Sequence, residues 1–79
     1  MTKPEHHILL HTLGLTYKPR HNRNYFAAEP GTDDYRLCES LAKQGLMKRG
    51  TSTSGGLIYF YATDEGEQAV VAKRLREEM

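Results

Sequence analysis

His7 and His11 stand four residues apart, a spacing that puts two imidazoles on one helix face and would let them share a metal ion. Zinc needs three or four donors, and the extras on offer are Cys38, His21 or a carboxylate, with no Cys-x-x-Cys pair. The pair is therefore expected to be ordinary histidine, with no metal bound. Cys38 is the single cysteine, which excludes an internal disulfide. It falls on the apolar side of a helical pattern and reads as a small core residue rather than a nucleophile. Thr63 and Asp64 read as a helix cap and first-turn acid. No paired carboxylates, Ser–His–Asp set or phosphate-cradling glycine loop is present, so the chain is expected to be non-enzymatic and to need no cofactor.

The remaining chemistry is charge. The net charge is +1, far from that of a dedicated nucleic-acid coat, but its placement is uneven. Residues 15–28 carry Lys18, Arg20 and Arg23 and no acid. Residues 29–39 set Glu29, Asp33, Asp34 and Glu39 against Arg36. Residues 43–61 carry Lys43, Lys48 and Arg49, again without an acid, and 62–79 are acidic on balance. Tyr17, Tyr25 and Phe26 interleave with the first basic group. That arrangement suits stacking on single strands and equally suits a loop pinned to the domain by its rings, the expected role here.

The elements that position these groups can be read from 79 residues, enough for one small domain, taken as residues 1–79. A first helix starts at Thr2, with Pro4 and Glu5 in its opening turn, buries Ile8, Leu9, Thr12 and Leu13, and stops at Gly14. Residues 15–31, punctuated by Pro19, Pro30 and Gly31, are irregular, and Tyr25–Ala28 fits either an extended stretch or a helical turn. A second helix is capped by Thr32 or Asp33, buries Leu37, Cys38, Leu41 and Ala42, and ends at Gly45. Its other side shows Arg36, Glu39, Ser40 and Lys43. Leu46–Arg49 and Leu57–Ala62 form a hairpin around the polar tip Gly50–Gly56. Ile58, Phe60 and Ala62 share one strand face, and Leu57, Tyr59 and Tyr61 the other. Thr63 opens a third helix running to about Glu77. No apolar run approaches the roughly 20 residues that span a bilayer. The start lacks the apolar stretch of a signal peptide, so a cytoplasmic protein with no membrane partner is expected.

Two stretches carry a resemblance. Leu41-Ala42-Lys43-Gln44-Gly45-Leu46-Met47-Lys48-Arg49 resembles the end of a recognition helix entering a wing strand. Tyr59-Phe60-Tyr61-Ala62-Thr63-Asp64-Glu65-Gly66 resembles the second wing strand entering the last helix. Both are similar to winged helix-turn-helix proteins of the MarR and PadR kind, and the chain is similar in style to short proteins of tailed phages and prophages. The expectation is a small α+β winged-helix-like domain of three helices and a two-stranded β-hairpin wing. Pro19, Pro30 and the basic run make residues 15–31 a poor middle helix, which is expected to be degenerate. The resemblance implies that the Ile58/Phe60/Ala62 face meets the core.

It also implies a function: double-stranded DNA binding by a phage or prophage regulatory or DNA-transaction accessory factor. Arg36, Ser40 and Lys43 would face bases in the major groove. Lys48, Arg49 and the tip, including Thr51 and Thr53, would touch phosphate or the minor groove. Lys18, Arg20 and Arg23 would contact backbone phosphates. Asp33 and Asp34, which phosphates repel, favour the alternative of a module that docks a host or phage protein without binding DNA. Val71, Leu75 and Met79 make a second apolar stripe, which either closes the core or forms a homodimer seam.

Overall fold

A computed structural model describes residues 1–15 and 24–70. Three helices and a three-stranded antiparallel sheet give the α+β, winged-helix-like layout expected: α1 (Lys3–Thr12), β1 (Phe26–Ala28), α2 (Asp33–Lys43), β2 (Met47–Ser52), β3 (Ile58–Ala62) and a helix over residues 64–70, α3.

The helix starts follow from local chemistry. The Thr2 hydroxyl accepts from the Glu5 N–H at 3.3 Å, and the Thr2 N–H donates to Glu5 Oε1 at 2.8 Å. This reciprocal cap satisfies two backbone donors that a helix start would leave unpaired. Thr32, rather than Asp33, caps α2 by accepting from the Tyr35 N–H at 3.2 Å. The Thr63 hydroxyl accepts from the Gly66 N–H at 3.1 Å and donates to the Gly45 carbonyl at 2.6 Å. It thereby starts α3 and ties it to the end of α2.

The expected two-stranded wing is a three-stranded sheet in the order β1-β3-β2. Phe26–Ala28, which fitted two conformations in sequence, is a strand pairing Phe26 with Phe60 and Ala28 with Ile58. Three residues cannot hold an extended shape alone; the ladder offered by the central strand β3 decides it. β2 also continues past Arg49 to Ser52, with a register irregularity between those two residues, so the tip is shorter than Gly50–Gly56. Only residues 29–32 separate β1 from α2, so no middle helix lies between them. A helix within 16–23 falls outside the described residues.

The alternation along β3 places Ile58 and Phe60 inward, against Leu9, Leu13, Cys38, Leu41 and Val70. Tyr35 meets Phe60 edge to face, with centroids 5.7 Å apart. α1 and α2 pack on this face of the sheet and on each other. Gly66 lies against the Leu46 carbonyl, and a Cβ at that position would collide with it. The missing side chain lets α3 approach the strand entry and carry Val70, fully buried, into the core. The opposite face of the sheet has no helix over it in the described residues.

Candidate nucleic-acid interface

The structure places the three α2 residues of the expected reading face differently from one another. Arg36 is exposed but paired with Asp33 at 3.1 Å. Ser40 is half-buried, and its hydroxyl donates to Glu5 Oε2 at 2.7 Å, so it faces α1 rather than an approaching groove. Lys43 is exposed in the last turn, where it complements the negative helix end. Asp33, Asp34 and Glu39 are exposed on the same helix. Its solvent side thus shows three acids against two cations.

The Ser40 contact belongs to a small network. Glu5 is buried, and its Oε2 also accepts from Gln44 Nε2 at 2.7 Å. The Thr2 backbone N–H, followed by the Ser40 hydroxyl, outweighs the cost of burial and holds the Glu5 carboxyl down at about 2. Glu5 was legible as a first-turn acid at the positive end of α1; its reciprocal bond to Thr2 and its reach to α2 were not.

The wing is different. From Gly45 to Thr63 there is no acidic residue. Lys48 and Arg49 are exposed on the edge strand β2, opposite Tyr61 and Phe60 respectively, so they leave opposite sides of the sheet. Thr51 is exposed. Thr53 is half-buried, and its hydroxyl accepts from the Gly55 and Leu57 N–H groups at 3.2 and 3.1 Å. Thr53 therefore shapes the tip, and this geometry rather than a free hydroxyl explains its place there. Lys18, Arg20, Arg23, Val71, Leu75 and Met79 lie outside the described residues.

The sheet face that has no helix over it among the described residues carries a cluster that no local sequence pattern brings together. Tyr59 and Tyr61 project from β3 with ring centroids 6.5 Å apart and planes at 32°. Tyr25, just before β1, meets Tyr59 at 6.0 Å and 90°. Together with Asn24 they line a shallow cleft of about 250 Å³. The period-2 pattern already put Tyr59 and Tyr61 on one face. Only the β1–β3 pairing brings Tyr25 beside them. Asn24 locks that junction: the Ala62 N–H donates to its Oδ1 at 2.7 Å, and its Nδ2 donates to the Ala62 carbonyl at 3.1 Å.

The other chemistry-bearing residues are accounted for structurally. Cys38 is fully buried, and burial, with a smaller push from the Asp34 charge, drives its thiol up to about 12. His7 and His11 are exposed, and the His11 ring meets Phe26 edge to face at 5.5 Å. Among the described residues no group of three or more His, Cys, Asp or Glu could hold a metal ion. None of their helices is long and apolar enough to cross a membrane. No family model, curated protein or solved structure matches the chain.

Proposed function

We propose that this winged-helix-like domain is a non-enzymatic cytoplasmic DNA-binding protein, a phage-type regulatory or accessory factor that holds duplex DNA chiefly through its wing. The observation that carries this reading is the exposed pair Lys48 and Arg49 on a wing with no acid between Gly45 and Thr63. Unopposed cations on a projecting hairpin draw the phosphate backbone, whereas the acids along α2 repel it. Lys43 at the end of α2 adjoins this basic segment in the chain. Such binding is positioned by phosphate and discriminates sequence weakly.

A second reading is favoured by one observation. The exposed Asp33, Asp34 and Glu39 on α2 suit a basic patch on a protein partner, which would make the domain an interaction module.

An NMR titration of the labelled chain with a random-sequence duplex at low and moderate salt tests both. Shifts at Lys43, Lys48, Arg49 and Thr51, with log affinity falling by about 0.9 per phosphate contact per log unit of salt, are expected. The absence of shifts at either salt would overturn the DNA reading in favour of the protein module.

A further inference from the structure

We propose that the cleft formed by Tyr25, Tyr59 and Tyr61 takes an unpaired base of single-stranded DNA, with Lys48 beside it meeting the backbone phosphate. The inference rests on the nucleic-acid reading of the wing and names the form of nucleic acid that this face accepts.

Four observations carry it. First, the exposed large apolar side chains of the described residues are Met1, Tyr25 at 44% and Tyr61 at 36%, so both exposed aromatics line one cleft. Second, the rings have a stacking geometry. Tyr59 and Tyr61, inclined at 32°, make a floor, and Tyr25 stands near perpendicular to Tyr59 as a wall. At about 250 Å³ the cleft falls below the roughly 300–1,000 Å³ of drug-sized sites, so it suits one ring system rather than a whole cofactor.

Third, the rings are held in advance of binding. Asn24 clamps the backbone beside Tyr25 to Ala62, and the Tyr25 N–H donates to the Thr12 carbonyl at 3.1 Å. The Tyr61 ring lies over Gly50, where a Cβ would collide with it. A preformed platform loses little freedom on binding. Fourth, charge matches the partner: Lys48 sits directly across the ladder from Tyr61, and β2, the tip and β3 contain no acid. A duplex keeps its base faces stacked inside, so only an unpaired base can reach the rings.

The chain has no tryptophan, and three of its five tyrosines line the cleft, so tyrosine emission carries a signal from these rings that loss of the quenching in Tyr25→Ala assigns to the site. The experiment titrates the full chain with short oligo(dT), oligo(U), a duplex of matched length and a proline-rich peptide. Oligo(dT) should quench tyrosine emission and bind more tightly than the duplex. Tyr25→Ala should weaken oligo(dT) binding roughly 5- to 150-fold, as expected for one lost stacking partner, and leave duplex binding unchanged. Tyr25→Phe should stay within about twofold of the parent, because the ring remains. Circular dichroism checks each fold, and Tyr61→Ala serves if Tyr25→Ala does not fold.

Duplex binding with no oligo(dT) quenching, or with full oligo(dT) affinity in the folded alanine variant, would overturn the stacking site and leave the wing reading standing. A parent chain that binds neither duplex nor single strand would overturn both. Preference for oligo(U) would overturn the assignment to DNA. Quenching by the peptide alone would make the cleft a peptide groove.

Discussion

The Ser40 hydroxyl donates to Glu5 Oε2 at 2.7 Å across 35 residues of chain, coupling the first turn of α1 to the last turn of α2. With Gln44 on the same oxygen, one carboxylate caps its own helix and fastens a second one to it. A charged acceptor makes each of these hydrogen bonds stronger than a neutral one.

This relationship has a pH signature. Unfolded, Glu5 titrates near its ordinary 4.5; folded, near 2. The depressed carboxyl stabilises the fold above the unfolded value, and that contribution is lost as pH falls from 4.5 toward 2. Glu5→Gln should lower stability at neutral pH by about 1–3 kcal/mol, with the gap to the parent closing across that acid window. Urea melts at stepped pH measure it, and a gap independent of pH would contradict the assignment.

Ser40→Ala separates the network from surface recognition. Removing the hydroxyl leaves Glu5 with one donor fewer and should cost about 1–3 kcal/mol. Duplex affinity of the folded variant should not change. A stable variant with weakened binding would return Ser40 to the reading face of α2.

Gly66→Ala reverses the usual sign of a helical glycine substitution. At an open helix position alanine is favoured by about 1 kcal/mol. Here the added Cβ meets the Leu46 carbonyl, so α3 must move away from the strand entry. A loss of about 1–3 kcal/mol is expected by thermal melting, as for overpacked cores. A gain would show that α3 does not pack this closely.

Cys38 should resist thiol reagents in the native state. Its sulfur is buried, and its ionisation is pushed up to about 12, so thiolate is scarce at neutral pH. Ellman's reagent should modify it only as the chain unfolds, with a rate that follows urea concentration. Rapid labelling of native protein would disprove the burial.

The Asn24 clamp predicts a local effect. Asn24→Ala removes two hydrogen bonds to Ala62 and should cost about 1–3 kcal/mol in all, at roughly 0.5–1.5 each. Hydrogen exchange should accelerate most at the Ala62 amide, which loses its acceptor. Uniform acceleration along β3 would mean that the clamp holds the whole sheet instead.

What the sequence determined by itself is what short-range chemistry dictates. Thr2 and Thr63, and a Thr32-Asp33 pair between which the pattern does not choose, mark helix starts, because a side-chain oxygen satisfies backbone donors two or three residues away. The alternation of Ile58, Phe60 and Ala62 with Tyr59 and Tyr61 sorts β3 into an inner and an outer face, because strand side chains repeat every two residues. Tertiary structure alone decided the rest. Phe26–Ala28 is too short to show a period, and it became a strand only because β3 offers a free edge. Ser40 left the solvent side of α2 because the packing of α1 sets Glu5 against it. Tyr25 joined Tyr59 and Tyr61 because antiparallel register places residues more than 30 positions apart on one surface, a juxtaposition that no local pattern encodes.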